Sequence, residues 1–160
     1  MSKYFEDIHL GEQADLGCHE FTSEEIIRFA RAYDPQPFHI DETQAAQSHF
    51  DGLIASGWHT ASIWMKLMIA YQKQLARTRG LPEAGERPQF GPSPGFKDMK
   101  WMAPVRAGDT IRYTSRVTEK IDLKSKPSWG LLVSRNEGFN QYNDLVFSFL
   151  GQVFVARRPG

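Results

Sequence analysis

The apolar and polar positions of the chain divide it into two unlike halves. In "TSEEIIRFARAY", Ile26, Ile27, Phe29, Ala30 and Tyr33 recur at helical spacing among polar residues, which predicts an amphipathic helix. Thr22 is its expected N-cap, and Glu25, three positions on, completes a capping box. Asp34 precedes Pro35. A residue before proline is pushed out of the helical region, so the helix should end there. A short polar helix is expected around Asp41 to Gln47, then a turn at "HFDG". From about Gly57 to Arg77 the pattern changes. Trp58, Ala61, Ile63, Trp64, Met65, Leu67, Met68, Ile69, Ala70 and Tyr71 leave little polar face. That predicts a buried helix, with Trp58 and Trp64 in its core contacts.

The second half supplies something to wrap it. "GFKDMKWMAPV", "GDTIRYTSRVTEKID", "WGLLVSRNEGF" and "DLVFSFLGQVFVARR" are rich in Val, Ile, Phe, Trp and Thr, with turn residues between them, and predict strands. Alternation is clearest from Asp109 to Val117 and from Val146 to Val155. The connections are too short for crossover helices, so the sheet should be mostly antiparallel. Between the halves, Arg79 to Gly95 is dense in Gly and Pro and predicts a long loop. The sum is an α+β fold, one long helix cradled by a curved antiparallel sheet. A lone sheet of that kind has edges free to pair across a dimer.

Length and composition narrow the function. The 160 residues fit one domain, taken as 1–160. Lys plus Arg and Asp plus Glu both number 19, for zero net charge, which argues against a nucleic-acid partner. It does not argue against a small anionic ligand held by a few local charges. Cys18 is the one cysteine, so no disulfide forms within the chain and a reducing compartment is expected. The N-terminus has acids early and no apolar run, unlike a signal peptide. The apolar stretch from Trp58 to Tyr71 is broken by polar residues and falls short of the ~18 apolar residues a membrane span needs. A cytoplasmic protein without a membrane partner is the expectation.

The candidate chemistry begins with "ARAYDPQPFHIDE", Ala30 to Glu42. Asp34 and His39 stand five positions apart with Pro35 and Pro37 between them, each fixing a backbone torsion. A surface loop has no need of such stiffness, whereas two proton-handling groups that share a water do. Histidine, with an ordinary pKa near ~6.5, suits that work. Tyr33 and Phe38 flank the pair and can line a pocket. The plain alternative is a helix end followed by a surface histidine.

The second candidate is "GLIASGWHT", Gly52 to Thr60. Gly57 stands where the apolar helix begins, and the first amides of a helix lack internal partners. Turned to a pocket, they make an anion site, and a glycine lets a ligand oxygen approach. Gly57 equally suits a tight turn or close helix–sheet packing, and spacing does not decide between these. His59 is expected to be a satisfied core histidine. His9, His19 and His49 have no partners that spacing can name. Metal-ligand spacing, a phosphate loop and a Gly-x-Ser-x-Gly elbow are all lacking, so no metal is predicted.

"FARAYDPQPFHIDE" followed by "FDGLIASGWHTASIWMKL" resembles the MaoC-like dehydratase family, which includes the (R)-specific enoyl-CoA hydratases. "FKDMKWMAPVRAGDTIRYTSRV" is similar to the family's next strands, so the resemblance runs from about Phe21 to Val155, the 79–95 loop aside. It implies the hot-dog fold, a long helix wrapped by an antiparallel sheet. The family pattern is Asp-x-Asn-Pro-apolar-His. Asp34, Pro37, Phe38 and His39 match it, while Gln36 replaces the Asn and Tyr33 replaces a small residue.

By that resemblance Asp34 and His39 activate the water that adds to a 2-enoyl thioester. The Gly57 N–H polarises the thioester carbonyl, and the reverse reaction dehydrates a 3-hydroxyacyl thioester. Tyr33, Phe38, Ser56 and Trp58 are the candidate substrate-binding residues. Coenzyme A enters as part of an acyl-CoA substrate, with no other cofactor, and a homodimer or assembly of dimers is implied. Lys97, Lys100 and Arg106 either meet the coenzyme phosphates or are solvated surface charges. Two other functions fit the same fold, an acyl-CoA thioesterase and a non-catalytic acyl-thioester binding module. The Asp34–His39 pair favours the hydratase over both.

Overall fold

The computed structural model describes residues 3–81 and 90–159. After a 3-10 turn at Phe5–Asp7, the chain forms β1 (Gln13–Glu20), α1 (Ser23–Tyr33), α2 (Pro37–Ile40), α3 (Glu42–Ala46) and α4 (Gly57–Thr78). Then follow β2 (Gly95–Trp101), β3 (Thr110–Asp122), β4 (Trp129–Phe139) and β5 (Leu145–Ala156). The strands make one sheet in the order β1-β3-β4-β5-β2, antiparallel at every pairing. The helices therefore carry the chain from one sheet edge to the other. Bulges in β1, β2 and β3 bend the strands. One long helix on an antiparallel sheet is the hot-dog arrangement expected from the sequence.

The helix limits follow local chemistry. Thr22 accepts the Glu25 N–H at 3.2 Å, as the cap requires. The return half of the capping box is not made, because Glu25 Oε2 lies 3.0 Å from His19 Nε2 instead. Asp34 leaves the helical region at φ −154°, ψ 67°. Asp41 caps α3 by accepting from Gln44 N–H at 2.8 Å.

Two elements escaped the sequence reading. α2 is a single turn begun by Pro37, and it carries His39. β1, "QADLGCHE", holds few strand-forming residues and is drawn into the sheet by pairing with β3. The four strands predicted in the second half are all present. Residues 82–89 of the predicted loop lie outside the described residues. On its far side Phe90 bridges Val155.

Phe21, Ile26, Ile63, Ile111, Tyr113, Val146 and Phe147 centre the main core where α1 and the start of α4 meet the sheet. The Tyr113 hydroxyl donates to Thr60 O at 2.9 Å and ties β3 to the first turn of α4. Burial pushes the Tyr113 phenol well above its ordinary range.

The expectation of an enclosed α4 needs correction. Only one side of it is covered, the buried positions being His59, Thr60, Ile63 and Ala76. Trp58, Met65 and Ile69 are 54%, 51% and 44% exposed, so Trp58 is not a core residue. The sheet is a single layer and can cover one face of a helix, whereas α4 is apolar on two. Trp64 is half-buried with its ring edge-on to Phe149, centroids 4.6 Å apart. No helix among the described residues is long and apolar enough to cross a membrane.

Candidate active site

Asp34 closes α1 and His39 sits in α2, so the two prolines do bring them together. Asp34 Oδ2 lies 3.4 Å from His39 Nε2. The imidazole is 4% exposed, and its Nδ1 lies 2.7 Å from Ile54 O. A carbonyl only accepts, so Nδ1 carries a hydrogen and Nε2 is the ring nitrogen turned toward Asp34. Ile54 reaches that position because its N–H donates to Phe38 O while Ala55 N–H donates to Val105 O. The segment before α4 is thus strapped to both sides of the site.

The carboxylate is held as firmly. Ser56 Oγ donates to Asp34 Oδ2 at 2.7 Å, and Gln36 Nε2 donates to Oδ1 at 2.8 Å. Burial works to raise the Asp34 pKa. The hydrogen bonds from Ser56 and Gln36, with the neighbouring His39, outweigh burial and leave it below the ordinary value. Asp34 is therefore ionised at neutral pH.

Ser56 also caps α4, accepting the Trp58 N–H at 3.2 Å. It is fully buried, and its hydroxyl is engaged in both directions, so it positions Asp34 rather than facing a pocket. That contact and the Gln36 brace were missed in the sequence. A serine just before the first helical residue signals a cap, but nothing local signals its reach to Asp34.

Gly57 is glycine for a definite reason. A Cβ there would come 2.6 Å from Trp101 Cε2, and Trp101 Nε1 donates to Gly57 O at 2.9 Å. Close packing against Trp101 is enough to account for the missing side chain. The Gly57 N–H itself has no acceptor among the described residues.

Phe38 packs edge-on to His39 with centroids 4.6 Å apart. Tyr33 leans on Phe29 and is 74% exposed. Trp58 crosses Trp101 with centroids 5.6 Å apart and lines the mouth of a cavity along α4. Asp34, His39 and Gly57 are not among that cavity's lining residues, so the acid–histidine pair and the apolar hollow are neighbouring features joined at Trp58. His59 is buried as expected, stacked on Phe29 at 4.5 Å, but it is not satisfied. Its Nδ1 lacks a partner among the described residues, and burial lowers its pKa to about 4. Lys97 and Lys100 are exposed, and Arg106 Nη1 donates to Phe50 O at 2.6 Å, bracing the turn. Cys18 is exposed and unpaired.

A hot-dog domain with an ionised carboxylate facing a buried histidine at the head of its long helix defines the class. The MaoC like domain matches residues 11–81. The MaoC-like dehydratase from Rhodospirillum rubrum is 34% identical, with 99% of each chain covered and a TM-score of 0.83. The chain belongs to the MaoC-like dehydratase family, as its motifs implied. The (R)-hydratase from A. caviae, 21% identical with 96% and 98% coverage and a TM-score of 0.65, shares the fold. Protein MaoC of Klebsiella aerogenes is 27% identical over 135 residues, 79% of this chain and 36% of that protein. The chain spans about a third of the length of the curated relatives it matches.

Proposed function

We propose that this chain reversibly hydrates a 2-enoyl thioester of coenzyme A. The observation that carries the reading is the 3.4 Å approach of Asp34 Oδ2 to a His39 Nε2 whose other nitrogen is committed to Ile54 O. A water held between them gives a proton to Nε2 as its oxygen bonds to C3 of the enoyl group. The π electrons shift through C2 to the carbonyl oxygen as an enolate. The proton on the imidazolium then goes to C2. Water is divided across C2–C3 with no net proton change, and the same groups run the dehydration in reverse.

Ionised Asp34 stabilises the transient imidazolium, and fixing the water supplies the orientation term. The Gly57 N–H, at the positive end of α4, is the proposed donor to the enolate oxygen. Phe38, Tyr33 and Trp58 flank the approach, and the cavity beyond Trp58 receives the acyl chain. A second copy of the chain is the proposed cover for the stripe of Trp58, Met65 and Ile69, together with the edge strand β2. The single free cysteine suits a cytoplasmic site of action.

Crotonyl-CoA tests the reading. Enoyl absorbance should fall without release of free thiol. Thiol release marks a thioesterase instead, and neither signal marks a non-catalytic binder or an enzyme for a different acyl chain. Sedimentation of wild type and Ile69→Lys tests the assembly, with a dimer expected to weaken or dissociate in the variant.

A further inference from the structure

Trp101 owes its place to an irregularity in the edge strand β2. Phe96 pairs with Gly151 of β5, and Trp101 pairs with Phe147. Cross-strand partners share a face of the sheet. Gly151 and Phe147 are four apart in a regular stretch of β5 and so lie on one face. Phe147 is in the main core and Gly151 lines the hollow beside α4, so that face is turned to the helix. Phe96 and Trp101 are five apart, a spacing that puts residues on opposite faces of a regular strand. The bulge between Lys97 and Lys100 supplies the extra residue that turns Trp101 to the helix side. Inside it, Asp98 has φ +52°, a left-handed conformation that a residue with a side chain adopts at a cost. A costly turn that aims one side chain points to a use for that side chain.

The indole holds Gly57 in two ways. Its Nε1 donates to Gly57 O at 2.9 Å, and its ring fills the space where a Cβ would stand, 2.6 Å from Cε2. The ring is itself supported by buried Phe147, stacked at 6.1 Å between centroids, and by Trp58, edge-on at 5.6 Å. On the other side of Gly57, Ser56 O accepts from His59 N–H at 3.0 Å and from Thr60 N–H at 3.2 Å. The Ser56–Gly57 peptide, whose N–H has no acceptor among the described residues, is thus gripped at its carbonyl by the helix and at its glycine by Trp101. Glycine turns more freely about its backbone bonds than any other residue. A donor carried on glycine therefore needs a hold from outside.

We propose that Trp101 is a positioning residue for the hydration, its indole N–H aiming the Gly57 N–H at the enolate oxygen through Gly57 O, an inference that rests on the hydration reading and on Gly57 as its donor. An oxyanion donor acts through its aim, because the charge it meets develops only in the transition state. Loosening that aim removes stabilisation of the transition state and leaves the binding of substrate almost as it was. The loss therefore falls on kcat and not on KM.

Trp101→Phe tests the role, since it keeps a ring beside Gly57 and Phe147 and removes the N–H. The substrate is the best of an enoyl-CoA series from crotonyl- to dodecenoyl-CoA. Its saturated counterpart, which binds without being hydrated, is the probe (butyryl-CoA if nothing in the series is hydrated). In Trp101→Phe kcat should fall about tenfold, less than the 10²–10³ of losing a donor outright, with KM nearly unchanged. The infrared carbonyl stretch of the bound saturated thioester, lowered in the wild type by the Gly57 N–H, should move back toward its position in water. A role in packing alone would not move that band. Trp101→Leu serves if Trp101→Phe folds poorly. A folded variant with wild-type kcat, a rise in KM alone, or an unmoved band overturns the inference. Any of those results beside hydration by the wild type refutes the positioning role alone. A band that depends on Trp101, with no hydration across the series, refutes the hydratase reading alone. A wild type that binds no thioester overturns both.

Discussion

The head of α4 and the region where its middle meets the sheet are built on opposite plans. At its head, Ser56 uses its hydroxyl twice, both Asp34 oxygens accept hydrogen bonds, and His39 Nδ1 is committed to Ile54. Two turns on, Trp64 Nε1 and Asn136 Oδ1 have no partners among the described residues, and Met65 and Ile69 face outward. The first region has its polar atoms paired, and the second does not. On the proposed function the difference separates two jobs. Groups that move protons must be held before the substrate arrives. Groups that choose a substrate, or a second copy, must wait for it.

The most forceful way to break this contrast is to remove the pair at the head. His39→Ala and Asp34→Asn should each lower crotonyl-CoA hydration by roughly 10²–10⁴ while the far-UV circular dichroism stays that of the wild type. Near-normal turnover in either variant would remove that residue from the mechanism.

His59, in the first turn of α4, violates the plan of its own end and offers the next effect. Its folded pKa of about 4 lies below the ordinary 6.5. As pH falls below 6.5 the unfolded chain takes up the proton first, so stability declines toward pH 4. The loss is up to about 1.4 kcal/mol per pH unit in that window. His59→Phe, which keeps a ring against Phe29, should flatten the melting temperature between pH 6.5 and 4.5. An unchanged slope would mean that the histidine is not the group responsible.

How much of this could be read beforehand depends on the distance between cause and effect. The end of α1 was legible because Asp34 and Pro35 are adjacent. The start of α4 was marked by a glycine at the head of an apolar run, and the four later strands by their own composition. β1 was not legible, because Asp15, Gly17, His19 and Glu20 are poor strand formers. It exists because β3, about a hundred residues on, offers an edge. The Asp34–His39 pair was visible through the two prolines between them. Its bracing was not, since Ser56 is 22 residues from Asp34. Likewise the reason for Gly57 is an indole 44 residues away. Apolarity showed that α4 wants cover but not that the sheet covers one side only.

A comparison of opposite signs sharpens the contrast. Ser56→Ala removes a cap and a buried donor, and should cost about 1 kcal/mol of stability and reduce turnover. Asn136→Leu replaces a buried, half-paired amide with an apolar group of similar size. It should stabilise the ligand-free protein by about 1 kcal/mol, provided Leu packs without strain. Urea unfolding of the two variants decides the matter. Destabilisation of equal size by both would mean that Asn136 is as well partnered as Ser56 and that the two regions are not built differently.

The smallest expected effect isolates Gln36. Its amide reaches Asp34 Oδ1 at an exposed position, where a single contact contributes only a few tenths of a kcal/mol. Its value lies in the direction of the shift. Burial raises the Asp34 pKa, while Ser56, Gln36 and His39 lower it, for a net value below 3.8. A depressed carboxylate pKa contributes stability above the unfolded pKa, and that contribution is lost as pH falls through the folded pKa. In Gln36→Ala the Asp34 pKa should rise, read by NMR titration of its carboxyl carbon, with only a small loss of turnover at pH 7. Gln36→Asn restores the amide on a side chain one methylene shorter. If it restores the wild-type titration, the α1–α2 loop adjusts to either length. If it behaves like Ala, the loop is fitted to Gln. An Asp34 titration that stays put in Gln36→Ala would show that the Gln36 amide does not hold the carboxylate.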